Sequence, residues 1–351
     1  EIVMSDNPMQ TDGFSFVEFS SIDPKPLQQL FEAFGFVLVA NHKSKEIKIY
    51  RHNKIDFLIN SEPNSFASAF AKTHGAAACG MAFKVKDANF AYERALQLDA
   101  KPYEKDTDIG ANLKAIYGIG DSLLYLVDDN EKLYEENFNF IEGVDSNNSE
   151  IGMQYIDHLT HNVFRGSMDS WAEYYTRLFN FREIRYFDIQ GKHTGLVSRA
   201  MSSPCNKIRI PLNESKDGKS QIEEFLKEYN GEGIQHIALI TSNIFKTVEK
   251  LKEIGMEFMH TPDTYYELLK ERLPEHGEDI DRMQENKILI DGGKDQGGGY
   301  LLQIFTNTVI GPIFFEIIQR KGNDGFGEGN FQALFDSIEL DQVRRGVLDV
   351  Q

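Results

Sequence analysis

An α+β fold in two domains, each built from paired βαβββ modules whose strands form half-open curved sheets, is what the sequence predicts, on three observations. Short runs with strand-like alternation outnumber segments of helical period. The order strand, helix, several strands recurs, and the second half of the chain repeats the pattern of the first.

Alternating or continuously apolar runs at 14–19, 46–50, 57–59, 79–85 and 122–127 predict the strands of the first half. Those at 155–159, 234–240, 300–305 and 313–318 predict the strands of the second. Apolar residues at helical spacing predict helices over 26–34, 88–98, 170–179, 220–229, 244–254 and 329–341. Cys79-Gly80-Met81-Ala82-Phe83-Lys84-Val85, ahead of a helix ending at Leu98, is echoed by Gln235-His236-Ile237-Ala238-Leu239-Ile240 ahead of one ending at Ile254. Likewise 27–36 has the form of 171–181, which makes four modules, two per half. The polar run Asp145-Ser146-Asn147-Asn148-Ser149-Glu150 reads as a linker, so domains are expected over 1–150 and 151–351. Two insertions mark the second half: the charged segment 261–286, expected to be partly helical, and 291–299, which carries five glycines. Both are expected beside a site.

At 351 residues the chain exceeds what one core usually serves, and 41% hydrophobic residues suffice to fill two. With 55 acidic against 37 basic residues, the net charge of -18 repels phosphate backbones and anionic lipid, so neither nucleic acid nor a membrane surface is expected as partner. The tightest basic cluster, Arg344-Arg345, is too small to reverse that. Cys79 and Cys205 stand far apart, without disulfide or zinc spacing. Residues 1–13 show no signal-peptide pattern and no run reaches the ~20 apolar residues of a membrane span, so a cytoplasmic location is expected.

Histidine and carboxylate positions carry the chemistry, because a redox-active iron takes two imidazoles and one carboxylate and keeps positions free for substrate and O2. His158, His236 and Glu316 each begin or centre an expected strand, with intervals of 78 and 80 residues that place them at equivalent module edges. Glu316, between Phe314-Phe315 and Ile317-Ile318, is expensive to bury unless something positive pairs with it, and Arg320 lies beyond the apolar run. A metal resolves that penalty; an exposed edge-strand glutamate is the competing reading. His161, at an odd offset from His158, points to the opposite face of a strand. In the first half, Phe19, Gly80 and Tyr125 align with the three candidates, and none of them completes an iron site, which implies one active and one degenerate copy.

Ile156-Asp157-His158-Leu159-Thr160-His161-Asn162-Val163, Gly231-Glu232-Gly233-Ile234-Gln235-His236, Leu302-Gln303-Ile304-Phe305, Phe315-Glu316-Ile317-Ile318-Gln319-Arg320 and Gly325-Phe326-Gly327-Glu328-Gly329-Asn330-Phe331 carry a specific resemblance. Together they closely resemble the bacterial 4-hydroxyphenylpyruvate dioxygenase family, of the vicinal oxygen chelate, glyoxalase-like fold, over essentially the whole chain. The resemblance implies that His158, His236 and Glu316 hold one Fe(II) per chain, and that Ser198, Asn213, Gln221, Gln235 and Gln303 form a polar wall around the substrate. Phe305 and Phe314 stand two residues from Gln303 and Glu316, hence on the same strand faces, where they can stack on an aromatic ring. With Phe326, Phe331 and Phe335 they are expected to shield the site, the last two lying on an apolar stripe that continues through Leu334 and Ile338. By the same resemblance that C-terminal segment is a lid helix, with Gly325, Gly327 and Gly329 read as its hinge.

The implied reaction takes 4-hydroxyphenylpyruvate and O2 to homogentisate and CO2, by oxidative decarboxylation, ring hydroxylation and side-chain migration in tyrosine catabolism. A hydroxymandelate synthase acting on the same substrate, an extradiol dioxygenase, and a metal-free binding protein of the same fold are the alternatives. A homo-oligomer, dimer or tetramer, is implied, with the degenerate N-terminal domain as a structural and oligomerisation element.

Overall fold

A computed structural model describes residues 6–191 and 194–346. The first half runs β1 (Phe14–Ser20), α1 (Lys25–Ala33), β2 (Val37–His42), β3 (Ile47–His52), β4 (Ile55–Asn60), α2 (Phe66–His74), β5 (Ala77–Lys84), α3 (Ala88–Gln97), β6 (Ala115–Tyr117), β7 (Leu123–Val127), α4 (Asn130–Asn137) and β8 (Phe138–Phe140). The second runs β9 (Met153–Val163), α5 (Met168–Phe179), β10 (Arg182–Gln190), β11 (Gly195–Ser202), β12 (Arg209–Ser215), α6 (Gln221–Tyr229), β13 (Gly233–Thr241), α7 (Ile244–Glu253), α8 (Asp263–Arg272), α9 (Ile280–Asn286), β14 (Leu289–Gly292), β15 (Tyr300–Phe305), β16 (Phe314–Lys321) and α10 (Glu328–Arg344). Among the described residues no helix is long and apolar enough to cross a membrane.

The strands form two eight-stranded sheets, β6-β7-β5-β1-β4-β3-β2-β8 and β10-β11-β12-β9-β13-β16-β15-β14. Read backwards, seven strands of the first, β2-β3-β4-β1-β5-β7-β6, match β10-β11-β12-β9-β13-β16-β15 of the second, leaving β8 and β14 without strand counterparts. The parallel pairs β1/β4 and β5/β7 match β9/β12 and β13/β16, and the antiparallel pair β1/β5 matches β9/β13. Each half is therefore a βαβββ pair joined side by side, with a single Pro102–Ile116 bridge standing where the second half has β14. Strands β2 and β10–β12 escaped the reading of period. β10, Arg-Glu-Ile-Arg-Tyr-Phe-Asp-Ile-Gln, is an edge strand partly wet on both faces.

One core runs under both sheets. Phe34 at the end of α1 packs on Phe315 of β16 at 4.8 Å between ring centroids, and Phe83 of β5 meets Phe179 at 5.1 Å. Between β8 and β9 the chain is pinned by Asn53, whose Nδ2 donates to Met153 O at 2.6 Å and whose Oδ1 accepts from Asn148 N at 2.8 Å. Strand β16 is buried on both faces. Phe315 and Ile317 turn to the shared core, while Glu316 and Ile318 turn to the other side.

Candidate metal centre

β9, β13 and β16 are neighbours, and their register sets the site. Ala238 of β13 lies opposite both His158 of β9 and Glu316 of β16, and His236 lies opposite Thr160 and Phe314. Register-paired side chains share a face, so both histidines and the glutamate converge from adjacent strands. Among the described residues they form the group whose ligand atoms all lie within 4.8 Å of one another. Glu316 Oε2 is 2.9 Å from His158 Nε2 and 3.3 Å from His236 Nε2. Donors bound at roughly 2.1 Å on one octahedral face stand about 3 Å apart, so two nitrogens and an oxygen at these separations fit a 2-His-1-carboxylate iron site.

Two β-bulges make this geometry. Pairing between β9 and β13 skips Asp157, between Ile156 and His158, and skips Gln235, between Ile234 and His236. A bulged residue leaves the strict alternation and turns towards its neighbour's side. Asp157 Oδ2 consequently sits 2.6 Å from His158 Nδ1, and Gln235 Oε1 sits 2.9 Å from His236 Nδ1. With each Nδ1–H donated to an oxygen, each Nε2 lone pair is turned to the centre, the usual support of a metal-bound imidazole. Glu316 is held likewise: Gln303 Nε2 donates to its Oε1 at 2.6 Å, leaving Oε2 for the ion. Thr160 Oγ1 lies 3.1 Å from His236 Nε2.

When no cation is bound and the imidazoles are instead protonated on Nε2, burial still pushes the Glu316 carboxyl up, but the charge of His158 and hydrogen bonds from both imidazolium rings outweigh it and hold it at about 2. Burial would pull His158 down, yet Glu316 and Asp157 raise it above its ordinary value, whereas for His236 burial dominates and lowers it. Asp157 is buried too and stays well below the usual carboxylate range because Arg320 pairs with it bidentately, at 2.9 and 2.8 Å. Arg209 adds a third bond at 3.2 Å. The positive charge near the apolar Glu316 strand is thus spent on Asp157. Asp157, Thr160 and Arg320 escaped the sequence reading, although Arg320, four residues beyond Glu316, shares its strand face.

His161 takes the opposite face, buried, with Nε2 2.6 Å from Tyr175 Oη, as its odd offset required. In the first half the alignment needs correction. β1/β5 carries the same two bulges, skipping Ser15 and Cys79, so Phe16 rather than Phe19 stands in the place of His158, and Phe19 matches His161. Counting along the sequence missed this because a bulge shifts strand parity by one. Gly80 and Tyr125 keep their places. A Cβ on Gly80 would lie 2.7 Å from Tyr125 Cε2 and 2.8 Å from Glu18 Oε1, the pair joined by a 2.6 Å hydrogen bond. Phe16 and Tyr125, 5.5 Å apart between ring centroids, fill the space that the three ligands surround in the other half.

The remaining expected residues divide. Phe314 stacks on His236 at 4.9 Å, Phe305 stands edge-on to Phe314 at 5.9 Å, and Phe326 meets His158 edge-on at 5.0 Å. Ser198 and Asn213 are register partners on β11 and β12, and Asn213 Nδ2 donates to Asn162 Oδ1 at 3.3 Å on β9. The Nδ2 of Asn162 itself is buried without a partner among the described residues. Gln235 and Gln303 are both engaged by metal-binding side chains, Gln303 Oε1 also accepting from Asn330 Nδ2 at 2.8 Å. Gln221 opens α6 and is exposed. Phe331 is 50% and Ile338 45% exposed, whereas Leu334 of the same expected stripe packs against the core, so Phe331 and Ile338 lie off the buried face of α10. Asn330, bonded to Gln303 and to Tyr265 Oη, fixes the helix rotation and turns Phe331 outward. The Phe335 side chain lies outside the described residues.

Residues 5–139 match a family model described as hydroxyphenylpyruvate dioxygenase, N-terminal, and residues 155–275 match that of the glyoxalase/bleomycin resistance protein/dioxygenase superfamily. The chain is 57% identical to hemolysin VllY of Vibrio vulnificus over 98% of both chains. It is 56% identical to 4-hydroxyphenylpyruvate dioxygenase of Pseudomonas aeruginosa over 97% of both. Among solved structures it matches a xylose isomerase-like TIM barrel/4-hydroxyphenylpyruvate dioxygenase fusion protein with TM-score 0.78 and 30% identity, covering 94% of this chain and about half, 52%, of that one. Likeness of this extent, sustained across nearly the whole of both sequences, makes the chain a member of the 4-hydroxyphenylpyruvate dioxygenase family.

Proposed function

We infer that this chain is an iron(II)-dependent dioxygenase that converts 4-hydroxyphenylpyruvate and O2 to homogentisate and CO2. The observation that carries it is the buried His158, His236, Glu316 triad, in a chain 56% identical to a named enzyme of that activity. Ferrous iron bound there supplies a Lewis acid for a chelating 2-oxo acid and the redox chemistry with O2.

The chain's own contribution is position and exclusion of water. Asp157 and Gln235 fix the tautomer and tilt of the two imidazoles, and Gln303 keeps Glu316 to one free oxygen. Phe305, Phe314 and Phe326 wall the centre with rings against which an aromatic substrate packs. Ser198 and Asn213 present a hydroxyl and an amide on the sheet face shared with Asn162, four residues from His158 and roughly 13 Å along the strand at about 3.3 Å per residue. The unpartnered Asn162 Nδ2 supports a ligand acceptor at that end, which fits the phenol of the substrate. Gln221, Phe331 and Phe335 enter this reading through the family likeness, as do the substrate contacts of Gln235 and Gln303.

Domain limits of 1–150 and 151–351 are part of the same reading, supported by the confinement of the first sheet to 14–140 and of the second to 153–321. So are a structural role for the first domain, a homo-oligomer and a cytoplasmic location; light scattering tests the oligomer. The reaction is tested by loading with Fe(II) under anaerobic conditions, adding 4-hydroxyphenylpyruvate and O2, and identifying the product by mass and NMR. Homogentisate with CO2 is expected. 4-Hydroxymandelate would instead assign a hydroxymandelate synthase, and a product formed without CO2 would exclude both.

A further inference from the structure

Arg320 is nine-tenths buried on its side chain and spends its guanidinium in two directions. Its Nε and Nη2 donate to the two oxygens of Asp157, at 2.9 and 2.8 Å, and Asp157 in turn holds His158 Nδ1 at 2.6 Å. Its Nη1 donates to two backbone carbonyls, Asn323 O at 2.9 Å and Gly325 O at 2.6 Å, in the turn that leads into α10. Phe326, the next residue of that turn, lies against the guanidinium at 5.4 Å from the ring centroid and against the His158 ring at 5.0 Å. A planar fork reaches a carboxylate and two carbonyls at once; an ammonium has neither the donors nor the span.

We propose that Arg320 is a positioning residue that joins the His158–Asp157 pair to the 323–326 turn, so that a divalent cation at the triad and the seating of α10 stabilise each other. The proposal rests on the reading of His158, His236 and Glu316 as metal ligands and deepens it. A cation holds the His158 ring in one orientation, which fixes Asp157, then Arg320, then the two carbonyls it grips. Linkage is reciprocal, so a seated α10 must tighten cation binding by the factor with which the cation favours the seat.

Hydrogen exchange of backbone amides over 326–344, with and without Co(II) under anaerobic conditions, tests this on the full chain, with Co(II) affinity followed by titration of its visible bands. In the unmodified protein Co(II) is expected to slow exchange there at least ~5-fold, within the usual range of coupling between sites. In Arg320→Met, and in Arg320→Lys, which retains the charge, Co(II) is expected to bind ~10–100-fold more weakly and no longer to slow α10. Slowing that persists undiminished in the variants, or rescue of both readouts by lysine, overturns the coupling and leaves the metal centre standing. Failure of the unmodified protein to bind one Co(II) per chain overturns the metal centre and the coupling with it. Should Arg320→Met not fold, the lysine variant alone decides.

Discussion

Replacing Gly327 by alanine puts a methyl group where the structure has no room for one. Gly327 lies at φ 80° and ψ 28°, the left-handed region, immediately before α10, and a Cβ there would stand 1.7 Å from Gln303 Oε1 and 2.6 Å from its Nε2. The backbone conformation itself disfavours alanine by ~1 kcal/mol. Clearing the overlap means moving Gln303, which breaks the 2.8 Å bond from Asn330 and the 2.6 Å bond to Glu316. The first is worth ~1 kcal/mol and the second, to a charged carboxylate, ~2 kcal/mol, so the substitution puts about 4 kcal/mol at stake. The chain can instead lift α10 off its seat, losing the bond from Gly329 N to Asp291 Oδ2 at 2.8 Å. Either response lowers turnover, through a loosened ligand or an unseated helix, by at least ~10-fold. Homogentisate formation and the thermal midpoint are the assays. Gln303→Ser is the control: with the long side chain gone, adding Gly327→Ala has only the backbone term left to exact, a factor of ~5 at most. Turnover within twofold of the parent in Gly327→Ala, with an unchanged midpoint, would refute the reasoning.

Replacing His158, His236 or Glu316 by alanine is expected to abolish turnover and iron content while leaving a folded protein; full iron content in any purified variant would count against that ligand. His52, whose Nδ1 faces Gly35 O at 3.1 Å and whose Nε2 accepts from Met153 N at 3.2 Å, is held by burial at about 4 instead of the ordinary 6.5. A histidine lowered on folding binds its proton in the unfolded chain first, so its contribution is complete above pH 6.5 and is lost as pH falls towards 4. That loss amounts to about 2 kcal/mol at pH 5. Urea unfolding at pH 7.5 and pH 5 should therefore show His52→Gln losing about 2 kcal/mol less than the parent, and equal losses would contradict this.

The metal ligands were legible because each sits in a strand-like run, at nearly equal intervals of 78 and 80 residues that mark equivalent module edges. Glu316 in particular announced itself by its isolation among Phe315, Ile317 and Ile318. What supports the ligands was not legible, since Asp157 and Gln235 work only by breaking alternation, and no residue type marks a bulge in one sequence. For the same reason 170–179 was readable as a helix while β10 was not: α5 has one buried face, and Arg182–Gln190 has none. The stripe through Phe331 and Ile338 misled because the rotation of α10 is set by one buried asparagine, a tertiary contact that outweighs the apolar pattern.

The two bulges also say how a duplicated sheet comes to hold a single ion. They occur at equivalent places in both halves, three paired residues apart: Phe16, Val17 and Glu18 against Ala82, Met81 and Gly80, and His158, Leu159 and Thr160 against Ala238, Ile237 and His236. The backbone that presents a ligand and its outer partner therefore exists twice. In the second half the skipped residues are Asp157 and Gln235, hydrogen-bond acceptors that suit an imidazole Nδ1–H. In the first they are Ser15 and Cys79, beside a phenylalanine and a glycine that have no such hydrogen to donate. Glu18 then lies buried where Thr160 stands in the other half, raised to about 7 chiefly by burial, against which hydrogen bonds from Tyr125 and Asn60 pull it down. A histidine at position 16 alone would not restore a centre, because Gly80 has no side chain and Tyr125 fills the volume. Building an ion site there requires ligand, outer partner and space to change together, and no single substitution meets that joint requirement.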